Sequence, residues 1–401
     1  MPQGQMLKAR SIVIAGAART PIGKFGGALK SLQASDLGVA AAKGALKKSG
    51  VPTEAVDEVI FGNSRQAGVR PNVARQVAYR AGCGDAVPAY TINKACGSSL
   101  KAIMNAYGAI ALGDADVVLA GGTESMSNTP YMLLDARWGH RLGNTEIVDG
   151  MVRDGFLCPL CEQLMGDTAE NLVDKYGITR EESDRYAVAT QNRCETARRE
   201  GRFQAEIVPV EVPARKGAVE VIDTDAHPRD GVTLEGLSKL APVFRKDGTV
   251  HAGNASGITD GAAALIVLSE DKASALGVEP MARIVGYAAA GVDPAIMGIG
   301  PVPAIRKLLE KTGLRLDDID LIELNEAFAA QVLACHRELD FDLDRMNVNG
   351  GAIALGHPIG ATGARIVVTL AHEMARRKVK RGIASLCISG GMGLALLIEA
   401  L

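Results

Sequence analysis

The sequence predicts an α/β fold assembled from two copies of one strand–helix–strand–helix–strand unit, with a more polar segment inserted into the first copy. Two segments, 49–61 and 312–324, align without a gap, and a helical Ala/Leu/Lys pattern precedes each of them. The strands of both copies are continuous apolar runs, which is typical of sheets covered by helices on both faces. The length of 401 residues suits two or three domains.

The first copy begins with an apolar stretch over 11–18. We interpret it as a buried strand and not as a signal peptide, because Arg19-Thr20-Pro21 follows at once. The remaining elements expected for this copy are a helix over 37–48, strands over 56–61 and 89–92, a small-residue helix over 98–112, and a strand over 117–122.

The second copy repeats this order. Its expected elements are a strand over 283–287, a helix over 303–311, a strand over 319–324, a helix over 363–377 and a strand over 384–389.

The segment between the copies is rich in charged and loop-forming residues, and one helix is expected in it, over 180–200. A strand over 262–268 and a helix from Asp271 then complete the first copy. We therefore predict three parts, which are a first half (1–125 with 262–280), an inserted loop domain (126–261) and a second half (281–401).

Composition excludes several classes of protein. The 44 basic residues nearly balance 46 acidic ones, so the basic excess of a nucleic-acid-binding protein is missing. No apolar run of membrane-spanning length occurs, and no membrane insertion is expected. Seven scattered cysteines indicate reduced thiols in a cytoplasm-like compartment.

Cys96 and His357 occupy similar places in the two copies. Cys96 stands between a strand and a small-residue helix, where the helix N-terminus would stabilise a thiolate. His357 lies in the second glycine-rich turn, 350–363. A buried structural cysteine and a surface histidine are the alternatives. The duplication favours a pair across the interface of the two copies, in which the base activates the thiol.

Three further features could belong to the same site. Cys387 ends the last strand beside Gly390-Gly391, and is either a second reactive thiol or a core residue. Asn325 follows the strand 319–324 and either caps a helix or orients a water or a carbonyl. The small-residue loop 251–261 could hold an extended ligand by backbone contacts.

Cys158 and Cys161 have the spacing of a redox pair or of half a zinc site. No second pair at zinc spacing accompanies them, so no metal site is predicted, and their role stays open.

Taken together and in this order, four motifs resemble those of the thiolase family. They are the Cys96 segment, Asn325-Glu326-Ala327-Phe328, the Gly356-His357-Pro358 turn, and Cys387 with Gly390-Gly391-Met392-Gly393. The resemblance covers nearly the whole chain. It implies the thiolase-like fold with five-layer helix and sheet packing, and an acyltransferase that joins two acyl-CoA units reversibly to a 3-oxoacyl-CoA. It implies no tightly bound cofactor, with coenzyme A and acyl-CoA as substrates.

The resemblance also implies residue roles. Cys96 is the nucleophile that becomes acylated, and His357 takes its proton. Cys387 removes or returns the α-proton of acetyl-CoA. Asn325 holds a water that completes one oxyanion site with His357, and the backbone N–H groups of Cys96 and Ser389 form the other.

The inserted domain is implied to bind coenzyme A, and the enzyme to be a homodimer or homotetramer. The residues implied to contact coenzyme A are Met165, Arg229, Leu240, Phe244, Ala252, Ser256, Ala327 and Phe328. Leu164 stands where many short-chain members carry histidine, which leaves longer acyl chains open. Ser389 replaces a usual glycine, and Ser99 replaces another after the nucleophile.

Two other functions stay open. A related condensing enzyme, such as a 3-oxoacyl carrier-protein synthase or a hydroxymethylglutaryl-CoA synthase-like protein, would share the fold. The former typically uses two histidines, whereas Asn325 and Cys387 fill the remaining places here. A non-catalytic acyl-CoA-binding scaffold would not need Cys96, His357 and Cys387 together.

Overall fold

The computed structural model describes residues 10–214 and 217–401, so the start of the predicted first half lies outside the described residues. The first half follows the expected order, with one additional helix, α2. Its elements are β1 (Ile12–Arg19), β2 (Gly23–Lys24), α1 (Ala34–Ser49), β3 (Glu58–Gly62), α2 (Val73–Ala81), β4 (Ala89–Ile92), α3 (Ser98–Leu112) and β5 (Val117–Ser125).

The inserted segment contains more regular structure than the sequence predicts. Its elements are β6 (Tyr131–Met132), β7 (Val148–Asp149), β8 (Leu157–Cys158), β9 (Gln163–Leu164), α4 (Met165–Tyr176), α5 (Arg180–Arg199), β10 (Val210–Pro213), β11 (Val219–Ile222) and α6 (Leu234–Ser238). The prediction of a single helix was wrong. The missed helix α4 begins where Asp167 accepts the Leu164 N–H (3.1 Å) and ends at Gly177 in a left-handed conformation, two ordinary capping signals.

The rest of the chain returns to the expected order. It comprises β12 (Thr259–Ser269), α7 (Glu270–Leu276), β13 (Ala282–Gly291), α8 (Pro301–Thr312), β14 (Leu321–Leu324), α9 (Ala329–Leu339), α10 (Ala352–Leu355), α11 (Thr362–Arg377), β15 (Arg381–Ile388) and β16 (Met392–Glu399).

The two halves share one ten-stranded sheet among the described residues. Its order is β14-β15-β16-β13-β1-β12-β5-β3-β4, and β2 pairs with β12. The halves join where β1 and β13 pair antiparallel, with Val13 opposite Arg283. Each half contains a pair of parallel neighbouring strands, which are β3 and β4 in the first half and β14 and β15 in the second. The three-part division of the chain stays a prediction.

Three apolar cores hold five layers of helix and sheet together, because the middle core packs one helix layer against both halves of the sheet. One core joins α1 and α2 to the first half of the sheet, and another joins α8 and α9 to the second half. The middle core holds α3 and α11 between the two halves of the sheet. These helices approach closely, because a Cβ added to Gly363 would lie 2.3 Å from the Leu100 backbone nitrogen.

The expected burial of the strands holds for most of the sheet. Every residue of β1, β5 and β12 is buried. The strand β13 instead alternates between buried and partly exposed residues, and β4 at the sheet edge is mostly partly exposed. No helix among the described residues is long and apolar enough to cross a membrane.

Candidate active site

Cys96 lies in a strained turn between β4 and α3. The preceding residue, Ala95, has a φ of 44°, a left-handed conformation that is costly for a residue other than glycine. The Ser98 hydroxyl supports the turn by donating to the Ala95 carbonyl at 2.6 Å. A Cβ added to Gly97 would lie 2.5 Å from Ile388 Cδ1, so this glycine allows the second half to pack directly beside Cys96.

The Cys96 thiol is neutral at rest, which corrects the expected thiolate. Burial at the bottom of a cavity raises its pKa, and this effect outweighs the hydrogen bonds from the backbone N–H groups of Ser389 and of Cys96 itself and the positive charge of Arg65. A helix N-terminus therefore does not suffice to ionise the sulfur, and a base is needed. The two N–H groups are the ones expected to form an oxyanion site.

His357 presents a free basic nitrogen. Its Nδ1 lies 2.6 Å from the Thr362 hydroxyl oxygen, and that hydroxyl donates to the Pro358 carbonyl at 3.0 Å. The hydroxyl must therefore accept the Nδ1–H, which leaves a lone pair on Nε2. Nε2 is buried and has no partner among the described residues. Burial, with the charges of Arg365 and Arg65, lowers the pKa of His357 to about 3, so the ring is a neutral base.

Cys387 is a second buried thiol at the same place. Only 1% of the residue is exposed, at the end of β15, and it packs against an apolar cluster that includes Met297 and Phe328. Burial, together with the proximity of Cys96, raises the pKa of Cys387 well above its usual range. It is therefore a proton-carrying thiol at rest. Cys387 lines the same cavity as Cys96, which disfavours the alternative of an inert core cysteine.

One cavity of about 550 Å³ brings the predicted site residues together. Cys96, His357 and Cys387 all line it, so the sulfur, the imidazole and the second sulfur converge as expected. The other predicted residues that line the same cavity are Ser389, Met165, Arg229, Phe244, Ala252, Ser256, Ala327 and Phe328.

Two predicted residues lie outside the cavity lining. Leu240 is 37% exposed and packs beside Gly253. Asn325 is fully buried after β14, and neither its amide oxygen nor its amide nitrogen has a partner among the described residues. The helix-cap alternative for Asn325 was wrong, because α9 begins only at Ala329. A buried amide without partners suits a bound water.

The loop 252–257 is fixed to the second half by backbone hydrogen bonds. The Ser256 N–H donates to the Ala327 carbonyl at 2.9 Å, and the His357 N–H donates to the Gly257 carbonyl at 3.1 Å. The loop expected to cradle a ligand is therefore hydrogen-bonded directly to the backbone of His357.

An aromatic pair forms one wall of the cavity. The rings of Phe244 and Phe328 meet edge to face, with centroids 6.4 Å apart. A Cβ added to Gly166 would lie 2.2 Å from the Phe244 ring, so the missing side chain makes room for it. Arg229, whose side chain is exposed, stands at the same cavity.

Sequence reasoning missed Arg65 and Glu124. The buried Glu124 carboxylate accepts the backbone N–H groups of Ser64, Arg65 and Gly360, at 3.1, 3.1 and 2.8 Å, and so ties the two halves together. The Arg65 guanidinium borders the cavity and lies 5.7 Å from the Phe156 ring centroid. A usable signal existed, because Arg65 lies three residues after the end of β3 at Gly62, and the carboxyl ends of such strands often border ligand sites.

Among the described residues, no cluster of histidine, cysteine and acidic side chains could hold a metal ion.

Comparisons with known proteins identify the family of the chain. The family model for the N-terminal domain of thiolase matches residues 12–271, and the model for the C-terminal domain matches residues 278–400. The chain belongs to the thiolase family. The expected thiolase-like α/β fold is confirmed by solved structures, since an acetyl-CoA acetyltransferase of Bacillus anthracis superimposes with a TM-score of 0.97 at 50% identity, covering 99% of this chain and all of that chain.

Two further thiolase relatives span the full length. An acetyl-CoA acetyltransferase of Allochromatium vinosum is 54% identical over 97% of this chain and 99% of its own. A human mitochondrial 3-ketoacyl-CoA thiolase in complex with CoA is 46% identical, with a TM-score of 0.94 and complete coverage of both chains. The prediction of an acyl-CoA C-acyltransferase enzyme is confirmed.

Proposed function

We propose that this thiolase forms and cleaves the carbon–carbon bond of 3-oxoacyl-CoA through an acyl group carried on Cys96. The observation that carries the proposal is that two thiols and one basic imidazole line a single cavity. This chemistry needs a covalent acyl holder, a second proton carrier for the α-carbon, and stabilisation of two oxyanions.

Acyl transfer begins when His357 Nε2 takes the Cys96 proton. The sulfur attacks the substrate carbonyl, and the N–H groups of Cys96 and Ser389 bind the developing oxyanion. Both N–H groups already hydrogen-bond the Cys96 sulfur, so they lie within reach of an oxygen bonded to the attacked carbon.

Carbon–carbon bond formation then uses Cys387. His357 passes the Cys96 proton to the departing coenzyme A thiolate and then takes the proton of Cys387, whose thiolate removes the α-proton of acetyl-CoA. When the condensed product leaves, the His357 proton returns to the Cys96 thiolate. In the reverse direction the Cys387 thiol returns the α-proton to the departing acetyl-CoA. The enolate oxygen is bound by His357 and by a water held on Asn325. The unpartnered buried nitrogen of His357 and the unpartnered amide of Asn325 support this second oxyanion site.

The coenzyme A portion of the substrate enters past the aromatic wall. Phe244 and Phe328 suit its apolar pantetheine arm, and the exposed Arg229 suits a phosphate or the adenine ring. The binding region also includes Met165, Ala252, Ser256 and Ala327. Leu240 lies outside the cavity lining and would support the loop 252–257 by packing beside Gly253. Leu164 and Phe156 give the acyl end an apolar lining that accommodates chains longer than acetoacetyl.

Assembly and compartment extend the same proposal. We expect a homodimer or homotetramer and a cytoplasmic, reducing setting, in keeping with seven free cysteines. Participation in fatty acid metabolism follows if longer 3-oxoacyl chains are accepted.

The test is to trap the acyl group. Trypsin places Cys96 on peptide 95–101 and Cys387 on a separate peptide. After incubation with acetyl-CoA and an acid quench, mass analysis should find the acetyl group on peptide 95–101. The Cys96→Ala variant should lose this adduct and all thiolysis of a chain-length series of 3-oxoacyl-CoA substrates, with an unchanged circular dichroism spectrum.

Other outcomes would favour the alternatives. Acylation only by carrier-protein thioesters with malonyl decarboxylation would indicate a 3-oxoacyl synthase-like enzyme. Tight acyl-CoA binding without acylation would indicate a scaffold, and near-wild-type thiolysis by Cys96→Ala would refute the mechanism.

A further inference from the structure

Cys158 and Cys161 lie at the turn of a small hairpin formed by β8 and β9. Cys158 pairs with Gln163 across the hairpin, and the Glu162 N–H donates to the Cys158 carbonyl at 2.9 Å. The hydrogen bond closes a five-residue turn over 158–162 in which Cys158 is the first residue and Cys161 the fourth, and first and fourth residues of a turn have Cα atoms within about 7 Å. Disulfides span Cα separations of about 4.4–6.8 Å.

Both thiols are free, and they are hydrogen-bonded to each other. Cys158 is buried beneath the turn near the protein surface, whereas Cys161 is partly exposed. Burial opposes ionisation of Cys158, but N–H groups of Leu160, Cys161 and Gly390 and the Cys161 thiol donate to its sulfur and lower its pKa. The pair therefore combines an accessible thiol with a neighbour whose thiolate is stabilised.

The hairpin adjoins the active site on two sides. The Gly390 N–H that donates to Cys158 belongs to the residue after Ser389, whose own N–H donates to Cys96. A Cβ built on Gly390 would lie 3.8 Å from Leu160 Cδ1, so the turn 389–391 packs against the turn of the hairpin. The residues just before and just after the hairpin, Phe156 and Met165, both line the catalytic cavity.

We propose that Cys158 and Cys161 form a dithiol site that exchanges with small organic disulfides, and that its disulfide form slows acyl transfer at Cys96. Nothing in the thiolase reaction requires these two thiols. The effect on acyl transfer rests on the proposed function, whereas formation of the disulfide does not.

The exchange consumes one small disulfide and releases two small thiols. The exposed Cys161 sulfur attacks one sulfur of the small disulfide, whose S–S bond breaks, and the leaving thiolate takes the Cys161 proton. The Cys158 sulfur then attacks the mixed disulfide at Cys161. A second small thiolate leaves with the Cys158 proton, so the protein pair is oxidised by two electrons and the small disulfide is reduced by two.

The consequence for catalysis follows from the hydrogen bond to Gly390. A disulfide sulfur is a poorer acceptor than a free cysteine sulfur, and bonding to Cys161 draws Cys158 away from the Gly390 N–H. The turn 389–391 then loses a fixed contact, and the Ser389 N–H is held less firmly at the oxyanion. Removing one oxyanion donor slows acyl transfer by about a hundredfold or more, so we expect a loss of about tenfold for a donor that is only loosened.

The experiment exposes the full-length protein to mixtures of oxidised and reduced glutathione, followed by acid quench, alkylation and trypsin. Cys158 and Cys161 fall on one peptide, 154–175, separate from the peptides of Cys96 and Cys387. We expect peptide 154–175 to lose two hydrogens and escape alkylation as the mixture becomes oxidising, and to recover after reduction. A peptide that stays fully alkylated, or that carries only glutathione, would overturn the dithiol site.

The activity arm compares wild type with the Cys158→Ser/Cys161→Ser double variant after identical treatment. The readout is the rate at which acetyl-CoA acetylates Cys96 on peptide 95–101, expressed relative to each protein's own reduced form, because this step, unlike thiolysis, needs no added thiol that would reduce the disulfide. The acetylation rate of wild type should fall about tenfold as the disulfide forms, whereas the rate of the double variant should not change. Cys161→Ser, altered only at the exposed thiol, should behave like the double variant.

The contrary results separate the two proposals. Equal slowing of wild type and variants would place the effect at Cys96 or Cys387 and refute the coupling. Absence of any acetylation in the reduced wild type would instead refute the proposed function, while the disulfide map of peptide 154–175 would still decide the dithiol site.

Discussion

His357 donates its Nδ1–H to the Thr362 hydroxyl across 2.6 Å, and this one contact decides which ring nitrogen is the base. Thr362 lies at the start of α11 and donates its own proton to Pro358, so it can only accept from the ring. We predict that Thr362→Val lowers kcat about tenfold or more, because the imidazole loses its fixed tautomer and orientation. Substrate KM should change little, since Thr362 does not line the cavity.

Thr362→Ser supplies the matched control, because it keeps the hydroxyl and loses only a methyl group. It should restore most of the activity. A valine variant with wild-type kcat would show that the Nε2 lone pair does not depend on this contact.

Arg65 places a positive charge beside both Cys96 and His357. The charge favours the Cys96 thiolate and disfavours the protonated imidazole, so Arg65→Met should raise the pKa of both groups. The alkylation of Cys96 by iodoacetamide then requires a higher pH. At a pH below the midpoint, a shift of about one pH unit lowers the rate about tenfold.

The profile is measured by mass analysis of peptide 95–101 over a pH series. Arg65→Lys, which keeps the charge, should lie between the wild type and Arg65→Met. Arg153→Met alters an exposed arginine on the helical turn that flanks the cavity and should leave the profile unchanged. A profile for Arg65→Met that coincides with wild type would contradict the electrostatic role.

The sequence sufficed to predict that Cys96, His357 and Cys387 meet at one cavity, because duplication and glycine-rich turns mark them. Cys96 and His357 each stand next to a glycine, and Cys387 lies three residues before Gly390-Gly391. The protonation state could not be read in the same way. A helix N-terminus predicts a thiolate at Cys96, but only the packing of the second half reveals the burial that raises its pKa.

Arg65 and α4 illustrate the other limit. Arg65 is one of many arginines in the sequence, and its burial follows from contacts with Phe156 and the Glu124 region that are distant along the chain. The helix α4 lies between the short hairpin β8–β9 and α5 in a segment rich in charged residues, so its capping residues were a local signal that the composition of the segment obscured.

Asp184 on α5 anchors the chain around the loop 252–257 by hydrogen bonds to His251 and Asn254. Its carboxylate accepts His251 Nε2–H at 2.6 Å, Asn254 Nδ2–H at 2.9 Å and Arg180 Nε–H at 2.8 Å. Burial opposes ionisation, but these donors outweigh it and lower the pKa of Asp184. A carboxylate with a depressed pKa stabilises the fold above its unfolded pKa, and this contribution is lost as pH falls through the folded value.

We predict that Asp184→Ala lowers the free energy of unfolding by about 3 kcal/mol at neutral pH, because buried donors lose their acceptor. It should also raise KM for coenzyme A, because loss of the contacts to His251 and Asn254 would displace Ser256, which lines the cavity two residues later. Urea unfolding and steady-state kinetics measure the two effects. Glu181→Gln breaks an exposed ion pair with Arg185 on the same helix and should cost less than about 1 kcal/mol. Similar losses for both variants would show that Asp184 has no special role.

In the proposed mechanism Cys387 carries the α-proton and takes no part in forming the acyl group on Cys96, so we predict that Cys387→Ser separates the two half-reactions. The serine hydroxyl is far less acidic than the thiol, so condensation of two acetyl-CoA molecules should slow by about a hundredfold or more. Exchange of labelled coenzyme A into acetyl-CoA requires only acylation and deacylation of Cys96, and it should stay within about threefold of wild type, the context-dependent range expected when no contact of the exchange reaction is removed. Cys335→Ser, at a buried cysteine outside the cavity, controls for the loss of a thiol from the core. If Cys387→Ser slows exchange and condensation equally, both sulfurs act in acyl transfer and the division of roles between them is wrong.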